Sequence, residues 1–373
     1  MSQITVPMAT LTEHPAAGRM ATLTQDGWAA HLAAWAAAYQ RACEIAPPGI
    51  QTLSMAGVTF HLHMAGPALK PAILPALAHL LAGEAPHTAP DITFHLWDTA
   101  TTGVLPPRPP FTAADYRRYG QRAVAHDGAV SLMHAPTVPL LYVYDRAQRH
   151  GFFWTADAAQ LSIYERAAPL QTLFHWALRE FGWQIIHAAG VGTAAGGVLL
   201  IGNTGAGKST TALSCLTGDG LRLLSDDKCL ARLDPAPQAF AAFSSGKIKA
   251  DMLERLPHFR EKLRGWDDHV KAGKGLVYLY PDYAERLVTT FPIKALVVTR
   301  VARQTQAAIH PFSPGDAFRV FGPSTVIWLP GAEMENYRFT AELTRRLPCY
   351  QLDLALEPAR NSEAILELLE RLP

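Results

Sequence analysis

Apolar positions first fall into a helical rhythm at Trp28, Leu32, Trp35, Ala36, Tyr39 and Cys43, and the rhythm stops at Pro47-Pro48-Gly49. That spacing predicts an amphipathic helix, and its aromatic stripe reads as core because residues three and four apart share the buried face. Residues 1–24 show no sustained period and read as a loosely held extension without chemistry of its own. Beyond Gly49 the rhythm changes to alternation. Residues 58–64 and 92–97 place apolar side chains at every second position, as half-buried strands do, with a helical stretch over 71–81 between them. His61, His63 and His95 take the polar phase of these strands. No carboxylate or cysteine joins them at ligand spacing, so they read as histidines on an open sheet face rather than as metal ligands. Pro106-Pro107-Arg108-Pro109-Pro110 predicts a stiff surface loop, and 129–134, 140–144 and 151–155 are further short strands.

The pattern changes again near Ala167-Ala168-Pro169, which predicts a β-rich α+β domain over 1–168, suited to substrate binding or assembly, and a second domain over 169–373. The second half opens on a helix over 170–181, with Leu173, Phe174, Ala177 and Leu178 on one face. A short strand over 185–192 and an apolar run over 197–201 follow, then a helix over 210–216 and a strand that ends at Ser225-Asp226-Asp227. Strands over 294–299, 326–329 and 349–354 and a helix over 362–372 complete the chain. Strands alternating with helices predict an α/β sheet packed by helices. No internal repeat is present.

The most specific signal sits between the run over 197–201 and the helix over 210–216. Gly202-Asn203-Thr204-Gly205-Ala206-Gly207-Lys208-Ser209, followed by Thr210, fits G-x-x-x-x-G-K-[ST] at every fixed position, between a strand and a helix as that motif requires. The glycines let successive N–H groups turn toward phosphate oxygens. Lys208 would reach the outer phosphates and the Ser209 hydroxyl would coordinate Mg²⁺, so nucleoside triphosphate binding is the firmest expectation. Asp226 and Asp227, at the end of an apolar strand downstream, stand where an acidic Mg²⁺ ligand belongs.

Composition narrows the partners. At 373 residues and roughly 150 per domain, two domains are expected, and 49% apolar content suffices for two cores. With 33 basic and 32 acidic residues the net charge is +1, which lacks the long-range field that nucleic acid or an anionic membrane would need. Cys43, Cys215, Cys229 and Cys349 form no C-x-x-C pair, which argues against structural zinc or a disulfide framework and fits a reducing cytosol. No apolar run reaches about 18 residues and no basic stretch precedes an apolar core at the N-terminus, so a cytoplasmic protein is expected.

Taken together, the second half resembles the HPr kinase family, whose P-loop domain is related to that of phosphoenolpyruvate carboxykinase. His187 lies fifteen residues before the first loop glycine, Lys208 sits in the loop, and Asp226 follows Lys208 by eighteen; all three match functional positions of the family. The resemblance implies an α/β P-loop kinase domain preceded by the β-rich domain, with ATP and Mg²⁺ as cofactors. It makes Asp226 the general base, His187 an active-site histidine, and Ser209 with Asp227 the Mg²⁺ ligands. Adjacent carboxylates at a strand end point to opposite sides, so the residues alone leave open which of the two faces the metal.

The likeness is strongest over 184–233. The segment that couples kinase to phosphorylase activity in HPr kinases proper is replaced by Ser244-Ser245-Gly246-Lys247-Ile248-Lys249 and Lys271-Ala272-Gly273-Lys274. The pattern is more similar to the divergent HPr-kinase-like proteins found beside ribosomal peptide pathways, including lasso-peptide kinases. Arg345-Arg346-Leu347-Pro348-Cys349-Tyr350 belongs to that likeness. It implies transfer to a serine hydroxyl of a peptide or protein, and assembly into a homo-oligomer. Independently of the resemblance, the charge cluster Lys247, Lys249, Lys271 and Lys274 offers candidate contacts to phosphate or substrate. Two other functions use the same parts: a kinase for a small hydroxylated metabolite such as a free amino acid, and a nucleotide-gated regulatory ATPase that transfers phosphate only to water.

Overall fold

The computed structural model describes residues 24–82, 89–117, 122–267, 273–326, 329 and 331–373. The helix expected first in the chain spans Gln25–Ile45, with the Thr24 hydroxyl accepting from the Gly27 N–H at its start. It lies on one face of a seven-stranded sheet. The sheet begins with the hairpin Gly49–Met55 and Val58–Ala65, closed by Ala56 and Gly57, both at positive φ as a two-residue turn matched to strand twist requires. Val58–Ala65 pairs in parallel with Ile92–Asp98, which pairs in parallel with His150–Thr155. Leu140–Asp145, Val130–Ala135 and Ala123–His126 continue the sheet as an antiparallel meander.

Both faces of this sheet are covered. Trp35, Tyr39 and Ala42 pack on Trp97, Leu141, Val143 and Phe152, while Phe60, Phe94 and Phe153 meet Leu173, Phe174 and Trp176 of the helix Gln171–Leu178. The first of these packings alters the reading of the histidines. His61, His63, His95 and His150 form a row with ring centroids 5.2–6.1 Å apart, and the Tyr39 ring lies 4.7 Å from that of His95. The row is therefore partly roofed by the first helix rather than open to solvent. Burial, with the neighbouring His150 and His63, pushes His95 down to about 3.

In the second half Gly196–Ile201, the strand that feeds the glycine loop, lies between Ala189–Thr193 and Thr290–Gln304. The first neighbour is antiparallel and the second parallel, and Cys349–Ala355 pairs in parallel on the other side of Thr290–Gln304. Three parallel strands thus end side by side. The segments 184–193 and 222–232 pair antiparallel twice, Ile186 opposite Cys229 and Gly190 opposite Ser225. Both pairs belong to one register, so residues 187–189 face 226–228 across a gap in the ladder. That gap holds His187, Asp226 and Asp227.

A third, three-stranded sheet contains Ser245–Lys249, Lys274–Tyr278 and Arg264–Asp267. The chain enters it through Phe243, which is buried in the core of the first sheet, and Ser244, whose N–H donates to the Ala76 carbonyl at 2.8 Å. The Ser245 hydroxyl donates to Ala167 O at 2.5 Å. This seam ties the small sheet to the first half of the chain.

The structure is a mixed α/β arrangement, as the alternation predicts. Val326 does not begin a strand; it ends the helix Pro314–Val326, and residues 327 and 328 lie outside those described. The following helix, Glu333–Arg346, escaped the apolar pattern because its buried residues are Asn336, Thr340, Leu343 and Thr344, three of them polar. No helix among the described residues is long and apolar enough to cross a membrane. Because Phe243 belongs to the core of the first sheet while the strand that follows it carries site residues, Phe243→Ala should lower stability by about 3–5 kcal/mol. Denaturant unfolding followed by fluorescence and circular dichroism should show both signals shifting together; a first-half signal that stays in place would refute the shared core.

Candidate functional site

The glycine loop is held open by conformations that side chains resist. Gly205 and Gly207 have φ of +85° and +91°. At Gly207 a Cβ would also fall 2.2 Å from Leu354 Cδ1, so the loop lies directly on the end of the strand Cys349–Ala355. Lys208 starts the seven-residue helix Lys208–Ser214, and its ammonium folds back inside the loop, donating to Gly202 O at 2.6 Å and Asn203 O at 3.2 Å. Burial lowers its pKa, and Asp227 and Asp226 oppose that shift.

Asp226 and Asp227 sit where the strand Arg222–Ser225 breaks off. The Lys228 N–H donates to Asp226 O at 2.8 Å and Asp227 has φ +68°, so the backbone makes a three-residue γ-type turn around Asp227. A non-glycine residue here stores strain of order 1–3 kcal/mol. The Ser225 hydroxyl closes the turn by donating to Lys228 O at 2.5 Å. The turn sends the two carboxylates apart. Asp226 turns away from the cavity: its Oδ2 accepts from the Lys247 N–H at 3.3 Å, and the Ser209 hydroxyl works against the rise in its pKa. Its other oxygen, Oδ1, is buried without a hydrogen-bond partner. Burial and the charge of Asp227 raise the Asp226 pKa.

Asp227 points into the cavity. Its Oδ1 lies 3.0 Å from His187 Nε2, and its Oδ2 lies 2.8 Å from Lys247 Nζ and 3.9 Å from Lys228 Nζ. Burial would raise this carboxylate, but the ammonium groups of Lys247 and Lys228 and the His187 hydrogen bond outweigh it and hold Asp227 well below the usual range. Lys228 pays the cost of the same burial and falls to about 8. His187 is fixed from behind, its Nδ1 3.2 Å from Ser324 O. Burial lowers its pKa, opposed by Asp227.

The third wall is basic. Lys247 and Lys249 occupy alternate positions of one strand, and Lys249 is directly opposite Lys274. Tyr164 anchors this wall, its ring lying 6.0 Å from Lys247 Nζ and 5.8 Å from Lys274 Nζ. His187, Thr204, Gly205, Ala206, Gly207, Lys208, Ser209, Thr210, Asp227, Lys247, Lys249 and Lys274 all line one cavity of about 130 Å³. Gly202, Asn203 and Asp226 stand behind it, and Lys271 lies outside the described residues. Sequence reasoning missed Lys228, Tyr164, Asp251 and Met252. Lys228 was within reach, directly following the paired aspartates; the other three carry no motif.

The oxygen donors fit a hard cation. A serine hydroxyl and a carboxylate with an unpartnered buried oxygen are the ligand types Mg²⁺ takes, with water completing its shell. Ser209 and Asp226 are the residues that could hold such an ion.

The charge cluster predicts its own pH dependence. Asp227 has a folded pKa below its unfolded one, so its stabilising contribution is complete above the ordinary carboxylate range and is lost as pH falls through the folded value. Asp227→Asn should therefore cost about 1–3 kcal/mol at pH 7, and the difference from wild type should shrink below about pH 4. Urea unfolding across pH 3–7 measures this, and a difference independent of pH would contradict the pairing. Compared with known proteins, the chain matches no protein-family model and no curated protein sequence.

Proposed function

We propose that this protein is an ATP- and Mg²⁺-dependent phosphotransferase that moves the terminal phosphoryl group to a serine-type hydroxyl of a peptide or protein. The observation that carries the reading is convergence: the glycine loop with Lys208, the aspartate turn, His187 and the lysine wall come from separate segments and meet at one cavity. Phosphoryl transfer asks a protein mainly for positioning and charge neutralisation, and that is what this set offers. Bound Mg²⁺ would bridge the outer phosphates and neutralise charge that develops on them. An HPr-kinase-like relationship is consistent with the same residues.

The two carboxylates divide the work by where they point. Geometry takes precedence over pKa in choosing a base, and Asp227 is the one that lines the cavity. It receives the acceptor proton in this reading, with His187 holding its Oδ1. Lys247 and Lys228 keep it ionised in the free protein; phosphates arriving beside those ammonium groups offset their charge and raise the carboxylate toward proton acceptance. Asp226 serves the cation side with Ser209. This reverses the order that the family resemblance implies.

A protein-borne acceptor is favoured by size. The cavity, about 130 Å³, is smaller than the roughly 300–1,000 Å³ of pockets that enclose a whole small ligand. Phosphates fit, and a hydroxyl presented from outside on a peptide segment fits beside them better than an enclosed metabolite.

Lys208→Ala should abolish transfer while leaving the fold intact, and wild-type turnover by that variant would remove the loop from the mechanism. Asp227→Asn should reduce transfer by about 10²–10⁴ with Mg²⁺-nucleotide affinity changed by less than about tenfold. Asp226→Asn should weaken affinity and transfer together. Calorimetry and mass spectrometry on both variants decide the assignment, and the opposite pattern returns the base to Asp226. Labelled ATP offered with peptides encoded by neighbouring genes, with free hydroxylated amino acids and with water alone identifies the acceptor; label passing only to free amino acids or water would overturn the peptide reading.

A further inference from the structure

The basic wall carries more charge than the protein balances. Four ammonium groups, of Lys208, Lys247, Lys249 and Lys274, line the cavity against the two carboxylates of Asp227 and Asp251. Lys249 and Lys274 lie directly opposite each other on neighbouring strands, where like charges are destabilising. Among the described residues neither has an ion pair of its own, while Lys247 takes the Asp227 carboxylate. Burial lowers the Lys274 pKa, and Lys247 and Lys249 lower it further against the attraction of Asp227 and Asp226. An anion in the cavity would offset that repulsion.

Two of these ammonium groups share one ring. The Tyr164 centroid lies 6.0 Å from Lys247 Nζ and 5.8 Å from Lys274 Nζ, within reach of its quadrupole. Because Lys247 Nζ is also 2.8 Å from Asp227 Oδ2, the ring sets both ammonium groups at the end of the wall where Asp227 stands. The ring itself is fixed from both sides. Ser162 caps the helix Ile163–Ala167 by accepting from the Glu165 N–H at 3.3 Å, and Glu165 accepts from the Tyr142 hydroxyl of the first sheet at 2.9 Å. On the other side Ala167 O receives the Ser245 hydroxyl, and Ile163 and Ala167 pack with Leu276 on the strand that carries Lys274. A lysine is a point charge on a flexible stem, so such a brace decides where its charge is found. An acidic side chain would hold the same lysines but cancel their charge. An aromatic face attracts an ammonium group and leaves its net charge for the next anion.

We propose that Tyr164 is a positioning residue for phosphoryl transfer: its ring holds Lys247 and Lys274 toward the cavity without neutralising them, so that both meet the terminal phosphate of the nucleotide. The proposal rests on the phosphotransferase reading given above. It adds a residue from the first 168 of the chain and a preference, since unmatched positive charge at that place favours a nucleotide that still carries its terminal phosphoryl group over one that has lost it.

The test is calorimetry with ATP and with ADP in the presence of Mg²⁺, on wild type, Tyr164→Phe, Tyr164→Leu, Tyr164→Glu and Lys208→Ala. Tyr164→Leu keeps an apolar side chain but loses the quadrupole, and should weaken ATP about three- to thirtyfold and ADP less than about twofold. Tyr164→Phe keeps the quadrupole and should stay within about twofold of wild type for both nucleotides. Tyr164→Glu should weaken ATP more than the leucine variant does, because it braces the lysines by cancelling them. Equal losses for ATP and ADP in Tyr164→Leu would reduce the residue to a structural support and overturn the proposal. So would a phenylalanine variant as impaired as the leucine one, or a glutamate variant that binds ATP like wild type. If Lys208→Ala weakens both nucleotides while Tyr164→Leu changes neither, this proposal alone fails; if Lys208→Ala weakens neither, the phosphate reading fails and this one with it.

Discussion

The site depends on a half-buried negative charge that the backbone cannot relocate. Asp227 is locked in a strained positive-φ turn with its carboxylate aimed inward, and an unpaired carboxylate there would be too costly to keep. His187, Lys247 and Lys228 supply the pairing from three directions. Each of those partners then needs its own support. Ser324 O backs the histidine, Tyr164 backs Lys247, and the Asp226 carboxylate accepts from the Lys247 N–H.

That chain of supports explains why the first half of the molecule matters to the second. Lys247 lies on a strand whose entry, 243–245, is fastened to the first half by the Phe243 side chain and by hydrogen bonds to Ala76 and Ala167. Tyr164, which braces both Lys247 and Lys274, belongs to the helix Ile163–Ala167 ahead of the second core. A rigid outer frame holding long, flexible lysines in place spares the site part of the entropy of ordering them.

The glycine loop divides the space around it. On one side lie ionised groups and an oxygen donor set; on the other lies a mixed cleft at the ends of three parallel strands, walled by Val301, Leu354 and Leu356 with Thr210, Thr211 and Arg255. Gly207 is in contact with both, and no side chain fits there because the strand end bearing Leu354 comes too close.

Local chemistry was legible in the chain because it is written in adjacent residues. The loop from Gly202 to Thr210, the Asp226-Asp227 pair at a strand end and the position of His187 were all read in advance, and the structure brings His187, Asp227 and the loop from Thr204 onward to one cavity, with Gly202, Asn203 and Asp226 outside its lining. The helix Gln25–Ile45 and the strands Val58–Ala65 and Ile92–Asp98 were legible for the same reason: each buries one face, so periodicity shows it. The helix Glu333–Arg346 was not, since its buried residues are mostly polar and satisfied by hydrogen bonds that no apolar rhythm reports. Which aspartate faces the cavity was decided only by the turn at Asp227, a backbone choice of one residue. That Tyr164 and the lysine strand belong to the same wall was decided only by folding, because contacts between residues some eighty positions apart depend on the packing of two cores and leave no local trace.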